Sequence, residues 1–488
     1  MEFNRVRPVI LAMAGLMVLV SAIWAIWQVV DAEGHSNSSS DGSDKSGDVR
    51  ITVRKLDDGR TEVALQRREV DGWSDQVLPD ARFLPVDADI ERWYRSSPLP
   101  AIETALGPGP LKIAMLQTIH GSPVERRQAF KLAIADINRA GGVFGRPVIG
   151  VIADFNLDQQ FIVASASRLI EEDGVHVLIG PTFSSSSLII SREISNPLQI
   201  PTITPSGSSP ELTIADPGDF FFRTTPSDGA GEGAILANLA AERGHERIGV
   251  LYRDDAYGQG LADEVVEAFA GEALSLPLDH VNAETFLPEI QRTAEEEATL
   301  LVVLGCWKES ATVISESLES GLFDQFLLGN CGQSPHLFNA LGSEVATGLT
   351  GTAPSFGEHN ESTRFFIEGF TEMWGQPPSA NITFVPSVYD ATIAAALAAQ
   401  AAQSTDGAAI RDQLRQISSG DGIAVTAASL SQALSALADG QAIDYTGAVS
   451  SLDWDDHGDL LRFAIGVWQF DSEGGIDVIR RTEVDLSK

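Results

Sequence analysis

The sequence predicts an α/β protein with two doubly wound, mostly parallel-sheet lobes. Three observations carry this. Short apolar runs of strand length recur between Leu111 and Ala353 and alternate with stretches of helical period, the pattern of strands joined by crossover helices. The alternation opens with a complete strand–helix–strand unit over residues 111–151. It then continues for longer than one ordinary domain holds, which calls for two lobes.

In the first unit, Leu111 to Leu116 is a strand. Ser122 caps a helix, Pro123 suits its first position, and Glu125 closes a capping box. Phe130, Ala133, Ile134 and Ile137 recur at helical spacing and form one apolar face. Gly141 and Gly142 end the helix, since glycine takes the left-handed cap without a side-chain clash. A second strand follows at Val148 to Ile152. Further strands are expected at Val175–Ile179, Pro201–Thr204, Phe220–Arg223, Ile248–Tyr252, Leu300–Leu304, Phe326–Leu328 and Leu349–Ala353. Residues 360–440 read as mainly helical and alanine-rich, and 445–480 return to strands.

The chain before residue 110 has a different character. Arg5 and Arg7 precede an apolar run from Pro8 to Val30, broken by Ser21 and Gln28. The run exceeds the roughly 7–15 apolar residues of a secretory signal and approaches the length that spans a bilayer. Trp24 and Trp27 suit the membrane interface. Residues 1–30 are therefore expected to form an N-terminal membrane anchor, with everything after Val30 extracytoplasmic. A long cleaved signal, with Val30-Asp31-Ala32 as a weak cleavage site, is the alternative. Residues 31–48 are a Ser/Gly/Asp-rich linker. Over 49–86, alternating Ile51, Val53, Val63 and Leu65 flank an Asp58-Gly59 turn and suggest a small β-rich module. Residues 87–109 are a connection.

Composition narrows the function. The 488 residues carry 33 basic and 68 acidic side chains, a net charge of −35. Phosphate binding needs a basic face, so nucleic acid is not an expected partner. The acidic turn Asp453–Asp459 lacks the spacing of an EF-hand loop and reads as a solvated turn. Two cysteines, Cys306 and Cys331, rule out a disulfide scaffold or zinc cluster and leave one bridge or two thiols. There is no Walker loop, G-x-S-x-G elbow, H-E-x-x-H or G-x-G-x-x-G after the first strand, so neither enzyme nor cofactor is expected.

Six segments in order resemble the type I periplasmic solute-binding proteins, above all the branched-chain amino acid receptor (Leu/Ile/Val-binding protein) group of ABC transporters. They are ADINRAGGVFGRPV (135–148), VHVLIGPTFSSSS (175–187), PTITPSGSSPEL (201–212), FFRTTPSDGAGEG (221–233), RIGVLYRDDAYGQGLAD (247–263) and YTGAVSSLDWDDHGDL (445–460). The resemblance covers about residues 110–485. It implies two lobes joined by three crossovers near Thr225, Pro354 and Val449: lobe one over 110–225 plus 355–449, lobe two over 226–354 plus 450–488. It further implies a small-molecule ligand in the cleft, a permease as partner, and delivery for transport. A tethered sensory or scaffolding receptor of the same fold is the alternative.

Ligands of open parallel sheets sit beyond the carboxyl ends of strands. Ser184 and Ser185, at a helix start after one strand, offer hydroxyls and free N–H groups to a carboxylate; plain N-capping is the other reading. By resemblance, Ser184 contacts ligand, and Ser206, Gly207 and Ser208 match contact positions after the next strand. Tyr257 matches a cleft-lining residue of lobe two. Asp228 is a ligand candidate and also reads as a helix cap. Trp307, beside Cys306, is a further ligand candidate. The resemblance places Cys306 and Cys331 on the cleft wall, with the cysteines at the same ends of neighbouring strands. That spacing, about 4.8 Å, allows a Cys306–Cys331 disulfide; two thiols are the alternative. The receptors usually carry an acid near Cys331 to pair with the ligand's ammonium, and this chain has none there. Glu309 or Asp228 would have to substitute.

Overall fold

Apolar runs joined by crossover helices pair side by side and in parallel, and two sheets with such a parallel core form. The computed structural model describes residues 49–55, 61–69, 72–77, 109–118, 123–155, 159–215, 219–355, 360–379 and 384–487. The expected anchor 1–30, the linker 31–48, residues 78–86 and most of the 87–109 connection lie outside them. Among the described residues no helix is long and apolar enough to cross a membrane.

The first sheet contains β1 (Val49–Lys55), β2 (Thr61–Glu69), β3 (Gly72–Val77), β4 (Lys112–Leu116), β5 (Ile149–Ala153), β6 (Val177–Ile179), β7 (Thr202–Thr204) and β8 (Phe221–Arg223), in the order β1-β2-β3-β5-β4-β6-β7-β8. Strands β4 to β8 pair in parallel. Strands β1 to β3 form an antiparallel meander, and β3 pairs antiparallel with β5. Three strands form within the small β-rich module expected over 49–86, and they extend the sheet of the first lobe. A piece that small buries little apolar surface alone, and β5 offers it an unpaired edge.

The second sheet uses β9 (Arg247–Arg253), β10 (Glu272–Leu278), β11 (Leu300–Leu304), β12 (Phe326–Leu328) and β13 (Thr350–Ser355). A separate parallel pair, β14 (Ile423–Thr426) and β15 (Ile443–Thr446), lies within the helical region. Strands β16 (Arg462–Phe470) and β17 (Ile476–Asp485) then complete the second sheet, in the order β10-β9-β11-β12-β13-β16-β17. Strands β9 to β13 are parallel, and β16 and β17 add antiparallel. The sequence reading missed β10, an edge strand interrupted by Pro277, and the short pair β14–β15.

The chain thus passes between the sheets three times: after β8, after β13 and before β16. These passages meet. Thr224 Oγ1 donates to the Ser387 carbonyl at 2.8 Å, and Trp454 Nε1 to the Arg223 carbonyl at 2.7 Å. A narrow void between them is lined by Thr224, Pro226, Pro354, Ser355, Val449 and Ser450.

Helix Val385–Ala402 packs on helix Val124–Arg139 over the first sheet. All residues from Val385 to Gln400 are buried. A helix covered on every side has no polar face, which accounts for its alanine-rich, weakly periodic sequence. Tyr389 Oη donates to Asp136 Oδ2 at 2.8 Å across this contact. Asp390 accepts the N–H groups of Ala448 and Val449, both at 2.8 Å, and so fixes the third passage. Helix Val124–Arg139 ends before Gly141 and Gly142, which have φ of +117° and +72°. The capping box differs from expectation. Ser122 lies outside the described residues, and Glu125 Oε1 accepts the Ser379 N–H at 3.2 Å.

Candidate functional site

Two loops leave the carboxyl ends of β6 and β7 side by side and are tied together by hydroxyls. Helix Ser184–Ile190 starts directly after the β6 loop. Ser184 Oγ accepts the N–H groups of Ser208 and Ser209, both at 3.2 Å. Its hydroxyl therefore joins the loops instead of capping its own helix, which has no side-chain cap. Ser206 Oγ donates to the Thr182 carbonyl at 2.8 Å. Gly207 N donates to Thr204 Oγ1 at 3.0 Å. A Cβ on Gly207 would stand 2.8 Å from Ser187 Oγ and 3.0 Å from Thr204 Oγ1, so a larger residue would have to push these hydroxyls aside. Ser185, one position along the helix, is half-buried.

Beneath the second loop lies Arg223, the last residue of β8, only 1% exposed. It donates to the carbonyls of Ser209 (3.1 Å) and Gly207 (3.4 Å), to Thr213 Oγ1 (2.7 Å), and to Asp459 Oδ1. Asp459 is thereby drawn out of the acidic turn, correcting the reading of 453–459 as simply solvated. Asp455 Oδ1 closes that turn by accepting the N–H of His457 and Asp459. No cluster among the described residues could hold a metal ion.

The chain enters the second lobe at Asp228. Its N–H donates to the Ser208 carbonyl at 2.7 Å, and its carboxyl hydrogen-bonds the Ser208 side chain. Asp228 caps no helix: Ser227 precedes the short turn Asp228–Ala230, and Gly231 precedes helix Glu232–Glu242. Asp228 is 1% exposed and its Oδ2 has no hydrogen-bond partner. Tyr257 follows Asp255, which caps helix Ala256–Ala268 by accepting the Gly258 N–H at 3.0 Å. Tyr257 is buried, and its Oη accepts the Cys331 N–H at 3.3 Å. A Cβ on Gly329 would fall 2.8 Å from that oxygen, so the ring lies close against the loop after β12.

Cys306 and Cys331 follow the parallel neighbours β11 and β12 and are joined by a disulfide, with their Cα atoms 4.6 Å apart. Trp307 opens the next helix at the rim, 36% exposed, its ring 5.5 Å from that of His336. Glu309 is committed elsewhere: it pairs with Arg253 at 3.2 Å.

Sequence reasoning missed Glu232. This buried residue accepts the Asn330 N–H (3.1 Å), Asn330 Nδ2 (3.0 Å) and Thr352 Oγ1 (3.0 Å). It grips the residue just before Cys331. Burial pushes its carboxyl up to about 7, against these hydrogen bonds. Burial, then the Glu232 charge, pushes Asp228 well above the usual carboxylate range. Burial and both acids raise the Tyr257 phenol likewise. Ser184, Ser208 and Asp228 are thus bonded in series, and Tyr257 is bonded to Cys331.

Two doubly wound lobes, three linking passages and polar loops at the strand ends between them define a two-lobed solute-binding protein. The chain belongs to the periplasmic binding protein family, whose profile matches residues 110–443. It is a binding protein and not an enzyme. It is similar to the leucine-, isoleucine-, valine-, threonine- and alanine-binding protein of Pseudomonas aeruginosa, 27% identical over 62% of this chain and 82% of that one. The chemotactic signal transduction system substrate-binding protein BasB of Halobacterium salinarum is 23% identical over 67% of this chain and 78% of that one. In fold it matches a leucine-binding protein of Thermotoga maritima with a TM-score of 0.63 and 21% identity, over 77% of this chain and 99% of that one.

Proposed function

We propose that this protein captures a small polar ligand, an amino acid or amide-like molecule, between lobe one (110–225 plus 355–449) and lobe two (226–354 plus 450–488), and delivers it to the permease of an ABC transporter. The observation that carries the ligand class is the junction of Ser184, Ser208 and Asp228. There the Ser184 hydroxyl, which accepts the Ser208 N–H, and a buried carboxyl with an unpartnered oxygen are both tied to Ser208. Ser206 and Gly207 shape the first wall; Tyr257, Trp307 and the Cys306–Cys331 bridge form the second. Relatives named for leucine, isoleucine, valine, threonine and alanine support the same class. The apolar run 8–30 tethers the protein to the membrane on the extracytoplasmic side.

The test is a thermal-shift screen of the full-length chain with amino acids, amides and the corresponding carboxylic acids. A bound ligand raises the melting temperature by mass action. A vesicle uptake assay with the cognate permease follows. A silent screen refutes capture. A ligand that binds without supporting uptake points to the second reading, a tethered sensory receptor. The chemotactic role printed in the name of the Halobacterium salinarum relative favours that reading as the alternative.

A further inference from the structure

We propose that Gln117 and Thr182 form a second polar seat in the first-lobe wall of the cleft, and that this seat selects amino acids whose side chain ends in a primary carboxamide, glutamine above all. The inference deepens the amino-acid reading and rests on it.

The observation is a row of buried polar atoms with nothing to bond. Among the described residues, neither Oε1 nor Nε2 of Gln117 has a hydrogen-bond partner, and neither has Thr182 Oγ1 or Thr225 Oγ1. Gln117 is 0% exposed, Thr182 6% and Thr225 1%. Buried polar groups are bonded as a rule, so each exception asks for a cause. These exceptions follow a pattern. Gln117 comes directly after β4, Thr182 after β6 and Thr225 after β8, and the strands lie in the order β4-β6-β7-β8. The unpartnered atoms thus belong to residues at the carboxyl ends of these strands, the edge where open parallel sheets take their ligands. The β7 loop interrupts the row because its hydroxyls are spent on its neighbour: Thr204 Oγ1 donates to the Pro181 carbonyl at 2.7 Å and Ser206 Oγ to the Thr182 carbonyl at 2.8 Å.

Gln117 and Thr182 share one corner of that edge. Strands β4 and β6 pair in parallel, with Met115 opposite Ile179. Past that pair the β6 loop closes on β4, so that a Cβ on Gly180 would stand 2.4 Å from the Leu116 carbonyl oxygen. Gln117 N donates to the Ala153 carbonyl at 3.0 Å, which binds its main chain and leaves only its amide over. Thr182 lies two residues before Ser184. The seat therefore adjoins the serine loops, one to two strand spacings away, about 5–10 Å. An extended amino acid side chain has that reach.

A free primary amide sets the chemistry of its guest, because it offers a donor and an acceptor side by side. A carboxylate answers only the donor, an ammonium only the acceptor, and a hydrocarbon neither. A carboxamide answers both in a reciprocal pair and has a hydrogen and a lone pair left for the Thr182 hydroxyl. An aliphatic side chain in the same place would leave every one of these groups unpaired and dry. A seat built for hydrogen bonds rejects a ligand that lacks them more sharply than an apolar pocket rejects a missing methylene.

The experiment is titration calorimetry on the full-length chain purified in mild detergent. The probes are L-glutamine, L-asparagine, L-glutamate, L-methionine and L-leucine. L-methionine has the length of glutamine without its amide, and L-glutamate its shape with a carboxylate. The expected result is glutamine tighter than methionine, leucine and glutamate by roughly tenfold to a hundredfold. Gln117→Met should bring glutamine and methionine within roughly threefold of each other, mainly by weakening glutamine. The same variant reads the seat without ligand. It removes a buried amide that has nothing to bond, so the melting temperature of the ligand-free chain should rise by roughly 2 °C; a glutamine kept for structure alone would make it fall. Thr182→Val should weaken glutamine by roughly tenfold and leave leucine unchanged. Glutamine no tighter than leucine on the unmodified chain overturns the inference and leaves the amino-acid reading standing. A preference unchanged in Gln117→Met, or a lower melting temperature there, does the same. If none of the five amino acids binds, the amino-acid reading fails and this inference with it. Should Gln117→Met not fold, Thr182→Val and the preference of the unmodified chain decide the matter.

Discussion

Replacing Arg223 by methionine tests whether the ligand loop is held from beneath. Methionine keeps the apolar stem and removes the guanidinium. Asp459 then loses its cation, and the carbonyls of Gly207 and Ser209 lose a donor. Deleting one partner of a buried pair costs about 3–5 kcal/mol. The Asp459 side chain is 13% exposed and keeps Thr213 Oγ1 at 2.7 Å, which puts the loss near the lower end, about 3 kcal/mol. Urea unfolding followed by tryptophan fluorescence reads this, because Trp454 donates to the Arg223 carbonyl and meets Phe222 edge-on at 5.6 Å. Adding Asp459→Leu to Arg223→Met removes the stranded carboxylate and should recover part of the loss, a coupling visible in a double-mutant cycle. Ligand affinity should fall in the single variant, since the Ser208 loop rests on Arg223. A loss under about 1 kcal/mol, or strictly additive effects, would refute the reasoning.

Three further outcomes are expected. Replacing both cysteines by serine opens a loop of 25 residues and should lower stability by about 3 kcal/mol in chemical denaturation; an unchanged urea midpoint would count against a structural bridge. Ser184→Ala leaves the N–H groups of Ser208 and Ser209 without their acceptor, which should cost about 1–3 kcal/mol and weaken ligand binding in the thermal-shift screen. Burial pushes the Asp390 carboxyl up to about 7. Its folded pKa lies above its unfolded one, so its contribution is fully present below about pH 4 and is lost as pH rises towards 7. Asp390→Asn should flatten the fall in urea midpoint across that window; an unaltered slope would remove Asp390 as its source.

Much of the architecture was legible because parallel strands are apolar on both faces and leave a strong local signal. Leu300–Leu304 and Phe326–Leu328 coincide with their predicted limits. Edges carry a weaker signal: Glu272–Leu278 is broken by Pro277, and the polar-alternating β1 to β3, expected as a small β-rich module, join the first sheet only through the β3–β5 pairing. At the site, the hydroxyl-rich loops stood out by composition. Glu232 did not, since an acid at a helix start ordinarily serves the helix dipole and its partners Asn330 and Thr352 are remote in sequence. Arg223 and Asp459 were equally silent. A strand-end arginine and a turn aspartate look solvated until the fold brings them together.

The contact between Tyr389 and Asp136 spans 253 residues of chain, with a consequence for the order of synthesis. The strands of the first sheet are complete once Arg223 is made, yet the helix that covers them ends at Ala402. The second sheet begins at Arg247 and waits for Arg462–Asp485. Neither half can close before the other is nearly finished. A growing chain therefore carries bare apolar sheet faces for most of its length, the state in which holding factors bind and aggregation starts. A product cut short before Val385 would be two unfinished bodies, not one finished lobe with a tail.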